Sequence, residues 1–153
     1  MTAKEYLESL KDMREEIQYM EELKQEYIEK AMSTSISNDG EKVQTSRKDN
    51  SKMERYTVLA ADLDNKIADK ESQYFTKMLK MTEQIRGSYN RDYIRVLHKV
   101  YIQFRSLNQA AKELKMDYRR CVRLHDEALI EFRQRCGKKK VKENGTENKK
   151  VDE

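Results

Sequence analysis

The sequence predicts an all-α fold, with two long helices in the N-terminal half and shorter helices in the C-terminal half. The 153 residues contain no Pro and only four Gly, and they are rich in residues with good helix propensity. Only 37% are hydrophobic whereas 39% are charged, which is typical of elongated helices that each bury one stripe. Apolar residues also recur every three to four positions over much of the chain, as expected for amphipathic helices.

A first helix is predicted over about residues 3–32, where apolar residues form a heptad seam. Thr2, followed three residues later by Glu5, fits a capping box at its start. The seam alternates steps of four and three, with one gap at Lys24. Its residues are Tyr6, Leu10, Met13, Ile17, Met20 and Tyr27, with Leu23 and Ile28 beside them.

Residues 33–52 are mostly polar and turn-forming, and they are predicted to be a mobile loop. A second heptad-like helix is predicted over about residues 53–86. Its stripe contains Met53, Tyr56, Ala60, Leu63, Ile67, Tyr74, Met81 and Ile85, with Met78 beside it. Two such stripes can fold back as an antiparallel hairpin, or they can form a coiled coil in a homodimer, and the pattern fits both.

Turn-forming residues at 87–90 separate this half from the rest of the chain. Shorter helices are predicted over about residues 93–104, 107–115 and 117–135. The tail from residue 137 has no apolar period, which predicts disorder. The predicted organisation is a helical hairpin or coiled coil over residues 1–87, a second helical domain over residues 88–136 and a charged, disordered tail over residues 137–153.

Residues 106–133 have the pattern of a helix-turn-helix motif. Such a motif needs a small residue where its two helices cross, and Ala111 supplies it. Asp117 can cap the second helix. The apolar residues expected at the crossing are Leu107, Ala110 and Leu114 on the first helix, Met116 in the turn, and Cys121, Leu124 and Ala128 on the second helix.

Charge places a candidate DNA-binding surface in the same segment. Residues 1–32 carry a net charge of −4 and residues 88–136 carry +5. A basic excess favours contact with nucleic acid, and Arg suits bidentate contact with guanine or phosphate. The residues predicted to contact DNA are Tyr118, Arg119, Arg120 and Arg123 on the second helix, with Asn108, Gln109 and Lys112 at the flanking backbone.

The same stretch resembles region 4 of bacterial sigma factors, which reads the −35 promoter element. The matching residues are Ser106, Leu107, Ala111, Glu113, Leu114, Ala128 and Leu129. The chain also resembles small phage and prophage proteins of Gram-positive bacteria, through MTAKEYL at residues 1–7 and RLHDEAL at residues 123–129. This resemblance implies a sequence-specific DNA-binding regulator of phage or prophage genes. Its expected partners are double-stranded DNA and, as a candidate, host RNA polymerase.

The sequence departs from the sigma pattern in two ways. Lys115 stands where the turn usually has Gly, so it is predicted to adopt a left-handed conformation at a cost of about 1 kcal/mol. The chain also has no counterpart of the sigma region that opens promoter DNA and binds the −10 element. The resemblance therefore implies that this protein does not start transcription alone.

Enzymatic and metal-binding functions are not expected. The sequence has no Gly-rich phosphate loop, no GxSxG motif and no Cys/His catalytic set, so we predict no catalytic residues and no cofactor. Cys121 and His125 have a spacing that metal sites use, but His98 and Cys136 are the only other His or Cys residues. We predict that the thiols are reduced and that the protein is cytoplasmic, with no signal peptide and no membrane partner.

Two other functional classes fit the same pattern. One is a structural or adaptor protein whose coiled coil binds a protein partner, with the C-terminal helices as a packing unit only. The other is a DNA-packaging recognition subunit, which would bind DNA as an oligomeric ring. The exposed Arg cluster separates DNA binding from the adaptor hypothesis, because an adaptor does not require it.

Overall fold

The all-α prediction is confirmed for the part of the chain that the structure describes. The computed structural model describes the backbone of residues 1–36 and 46–144 and the side chains of residues 1–33 and 51–137, with no strand among them. The helices are α1 (Ala3–Ile36), α2 (Ser46–Arg86), α3 (Arg91–Leu97), α4 (Leu107–Glu113) and α5 (Tyr118–Asn144), and a π-helical segment, His98–Ile102, directly continues α3. Within these described ranges, none of the helices combines the length and the apolar character that spanning a bilayer requires.

Three helices extend beyond their predicted limits. Residues 33–36 belong to α1 and residues 46–52 to α2, although the sequence predicts a mobile loop over residues 33–52. Similarly, α5 continues to Asn144 through residues predicted to be disordered. The predicted helix limits were set by where the apolar stripe ends. Polar and charged residues can nevertheless prolong an established helix, because adding a turn costs far less free energy than nucleating a helix. Residues 37–45 and 145–153, the remainder of the predicted loop and tail, lie outside the described residues.

The chain forms two compact units that do not follow the predicted boundary after residue 87. Unit 1 contains Met1–Lys11 and Thr76–Glu153, and unit 2 contains Asp12–Phe75. The first turns of α1 and the last turns of α2 therefore group with α3, α4 and α5. The heptad pattern could not reveal this division, because the seam of α1 continues from Leu10 to Met13 across it and has its one gap at Lys24, inside unit 2.

In unit 2 the apolar stripes of α1 and α2 pack against each other within one chain. Ile17, Ala60 and Ile67 are buried between the two helices. The rings of Tyr27 and Tyr56 lie 6.0 Å apart. These contacts correspond to the intramolecular alternative of the two that the heptad pattern allows.

Unit 1 has the larger core, and residues from the start of α1 belong to it. Leu7, Leu10, Met81 and Ile85 are fully buried. The capping box predicted at Thr2 is confirmed, because the Glu5 N–H donates to Thr2 Oγ1 at 3.1 Å and the Thr2 N–H donates to Glu5 Oε2 at 2.6 Å. This box begins α1 at the point from which its apolar residues enter the core.

Tyr6 joins three helices of unit 1. Its hydroxyl donates to Gln84 Oε1 on α2 at 2.9 Å, and its ring stacks on Phe132 of α5 at a centroid distance of 6.3 Å. Burial raises the pKa of this phenol, with the Gln84 hydrogen bond acting in the opposite direction. The stacked ring thus contacts the central part of α5, whose first turns carry the candidate DNA-binding residues.

Candidate nucleic-acid interface

The N-terminus of α4 is defined by a capping box. The Gln109 N–H donates to Ser106 Oγ at 3.2 Å, and Gln109 Oε1 accepts from the Ser106 N–H at 3.1 Å. Two backbone donors at the start of the helix are thereby satisfied. Gln109, one of the predicted DNA-contacting residues, is therefore already engaged through its amide oxygen.

A tight turn joins α4 to α5. Lys115 has φ 55°, so the left-handed conformation predicted for it is confirmed. The Met116 N–H donates to the Ala111 carbonyl at 3.0 Å, and the Lys115 N–H donates to the Lys112 carbonyl at 3.2 Å. Together these bonds form a Schellman motif with Lys115 at the position that Gly usually occupies. The motif ends α4 abruptly and directs the chain into α5.

Small residues allow α4 to pack closely on α5 and α3. Ala110, Ala111 and Cys121 are at most 3% exposed, and they form one cluster with Val96 and Leu124. Every residue that the sequence predicts at the helix crossing is buried or half-buried, including Ala128. The partly buried residues around this cluster are Tyr93, Val100, Leu107, Leu114 and Met116. The cluster makes the orientation of α5 depend on α4 and α3.

Cys121 and His125 have structural partners in this core. The Cys121 thiol donates to the Leu107 carbonyl at 3.7 Å, and burial raises its pKa. His125 Nε2 lies 2.9 Å from the Tyr101 hydroxyl, and the two rings stack at 5.7 Å between centroids. Burial also raises the pKa of Tyr101 strongly. Both side chains therefore hold α5 against its neighbours, Cys121 through α4 and His125 through the π-helical segment.

All seven side chains predicted to contact DNA are exposed to solvent. Four of them lie in the first two turns of α5 and three lie on α4. Arg119 and Arg123 have no ion pair or side-chain hydrogen bond within the residues that the structure describes. Arg120 differs, because its Nη2 lies 3.6 Å from Asp92 Oδ2 on α3. Residue spacing carries no signal for this pair, because its members belong to different helices.

Charges next to these arginines limit the basic surface. Glu113 on α4 pairs with Lys99 at 2.6 Å and with Arg105 at 3.1 Å, and the Lys99 bond holds the pKa of Glu113 below its usual value. On α5, exposed Asp126 and Glu127 follow Arg123. Arg119 and Arg123 are thus the unneutralised positive charges in the first two turns of α5.

This arrangement can bind a polyanion. It has exposed guanidinium groups at the start of a helix, a rigid turn before them and a packed core behind them, and it has no grouping of His, Cys, Asp and Glu suited to a metal ion among the described residues. The chain was compared with models of protein families, with curated proteins and with solved structures, and none of the three comparisons gave a match.

Proposed function

We propose that this protein is a sequence-specific DNA-binding transcription regulator of phage or prophage genes. In this proposal α3, α4 and α5 form a helix-turn-helix domain that resembles sigma region 4. One observation carries the proposal: Arg119 and Arg123 are exposed and unpaired directly after the turn at Lys115. In helix-turn-helix proteins this is the part of the second helix that contacts base edges.

The dimensions of α5 suit the major groove of B-DNA. An α-helix with its side chains is about 10–12 Å wide, and the groove is about 12 Å wide. With the start of α5 in the groove, Tyr118 and the three arginines contact bases or phosphates. Asn108, Gln109 and Lys112 on α4 contact the flanking backbone. Asp126 and Glu127 disfavour deeper contact with phosphates, so the first two turns of α5 form the DNA-contacting part.

Two further partners are candidates. The resemblance supplies host RNA polymerase, because sigma region 4 acts together with it. The heptad pattern of the N-terminal helices supplies a second copy of the chain, although the apolar stripes of unit 2 are already packed within one chain. DNA binding requires neither partner, so it is the first property to test.

The test is selection from a random pool of double-stranded DNA by the purified full-length protein. We expect one enriched motif and an affinity that falls steeply with salt, because Lys and Arg release counterions from the phosphates that they contact. Arg133→Ala is a matched control, since it removes an exposed arginine from a later turn of α5 and should leave the motif unchanged. Failure to retain any DNA at low salt would contradict the proposal.

An adaptor function is the second candidate, and one feature of unit 2 favours it. Tyr19 and Phe75 are 63% and 57% exposed, and aromatic side chains are enriched at protein–protein interfaces. An adaptor would retain no DNA in the selection and would show the same behaviour after removal of Arg119 and Arg123. A packaging subunit would bind DNA as a ring of about eight copies, which a mass measurement in solution distinguishes from one or two copies.

A further inference from the structure

We infer that the three arginines at the start of α5 have different roles. Arg119 and Arg123 read guanine bases, whereas Arg120 is a positioning residue that orients α5 through Asp92. This inference rests on the proposed DNA-binding function and goes beyond it, because it assigns the base chemistry and the residues that recognise it.

The position of each arginine relative to Cys121 separates the roles. Cys121 is fully buried and marks the line of α5 that faces the core. Arg119 and Arg123 are each two residues away from it, which is about 200° around an α-helix. Arg120 is adjacent to Cys121, only about 100° from the buried line. The first two arginines therefore point directly away from the core, and Arg120 points to one side.

Within a groove these directions lead to different parts of the DNA. The outermost line of an inserted helix faces the base edges, while its sides face the phosphates of the two strands. An arginine directed at the base edges pairs best with guanine, through O6 and N7. Arg119 and Arg123 are separated by about 6 Å along the helix axis. Two side chains this far apart can each contact a different base pair.

Arg120 forms an ion pair with Asp92 that supports a positioning role. Its guanidinium lies 3.6 Å from Asp92, which is in the first turn of α3. The backbone N–H of Asp92 donates to Asn90 Oδ1 at 2.9 Å, so this turn is itself capped. The pair connects the first turn of α3 with the first turn of α5. The pair therefore helps to set the orientation of α5 relative to α3, and with it the direction in which Arg119 and Arg123 point.

Arg→Lys substitutions test the assignment, because lysine keeps the positive charge but cannot form the bidentate hydrogen bonds of a guanidinium group. Site selection would be carried out with the full-length wild-type protein and with R119K, R123K and R120K. We expect R119K and R123K each to lose preference for a different guanine. Affinity for the selected site should fall about fivefold to a hundredfold, with affinity for unrelated DNA and the salt dependence unchanged. R120K should select the wild-type motif.

The positioning role is tested by a double-mutant cycle of Asp92→Asn and Arg120→Gln. Each change should weaken binding to the selected site about twofold to fivefold, as for an exposed ion pair, and the double variant should be no weaker than either single variant. Additive effects would overturn the positioning role. Circular dichroism of every variant establishes that α5 is intact.

The remaining outcomes separate this inference from the function on which it rests. Wild-type motifs selected by both R119K and R123K would overturn the base-reading assignment, as would a guanine preference lost in R120K. A wild-type protein that binds DNA without selecting any motif would overturn it too, while leaving DNA binding in place. A wild-type protein that binds no DNA would overturn the proposed function itself.

Discussion

Arg135 of α5 donates a hydrogen bond from Nη1 to the backbone carbonyl of Gln84 in the last turn of α2, at 2.6 Å. Carbonyl groups in the last turn of a helix lack partners within that helix, so this bond caps α2 from outside. Glu131 orients the guanidinium by accepting from its Nε at 3.0 Å. Gly87 leaves room for it, since a Cβ there would lie 2.7 Å from Nη1.

Arg135→Ala should therefore destabilise unit 1. The change removes the cap on α2 and leaves the Gln84 carbonyl and the Glu131 carboxylate without this partner. We expect the free energy of unfolding to fall by about 1–3 kcal/mol, as for hydrogen bonds to charged groups. Urea denaturation would measure it, with Arg133→Ala as the exposed control on the same helix. Equal effects of the two changes would contradict the role assigned to Arg135.

Lys115→Gly should stabilise the protein. Lys115 has φ 55°, a conformation that glycine adopts without the steric cost borne by other residues. We expect a gain of up to about 1 kcal/mol in the free energy of unfolding, reduced by the greater freedom of glycine in the unfolded chain. Lys112→Gly, within α4, is the matched control and should cost about 1 kcal/mol. A loss of stability in Lys115→Gly would show that the turn is not the one described.

The capping box at Thr2 should make stability depend on acid pH. The hydrogen bond from the Thr2 backbone N–H is the main cause of the lowered pKa of Glu5. A carboxyl whose pKa is lower in the folded state contributes stability above its unfolded pKa and loses it as the pH falls through the folded value. Glu5→Ala should therefore lower Tm at neutral pH, and the difference from wild type should shrink in acid. Asp12→Ala, which removes an exposed carboxylate from a later turn of α1, is the control variant.

Residues 88–153 are not expected to fold on their own. They lack Leu7, Leu10, Met81 and Ile85, which are fully buried in unit 1. We expect circular dichroism to show a large loss of helix in this fragment. A chain in which a Gly/Ser linker replaces residues 12–75 should remain helical, because Lys11 and Thr76 belong to the same unit. A well-folded 88–153 fragment would contradict the division into units.

The sequence predicts those features that depend on local chemistry. The burial of Ala111, the left-handed Lys115 and the Thr2 capping box all follow from residue type and spacing, and all three are present. Features that depend on contacts between distant segments are not predictable from spacing. The pair between Arg120 and Asp92 and the cap provided by Arg135 join separate helices. The division of α1 between two units is not predictable for the same reason, since the heptad seam continues across residues 11–12.

The stacking of Tyr6 on Phe132 has a consequence for the order in which the protein is made. Tyr6, Leu7 and Leu10 emerge from the ribosome long before α5 is translated. Until then these apolar side chains cannot pack against α5 in the nascent chain. Contacts between residues far apart in sequence form slowly, and apolar surface that stays exposed in the meantime promotes aggregation. Chains that stop short of Phe132 cannot complete this core. The candidate DNA-contacting surface is thus assembled only after nearly the whole described chain has been synthesised.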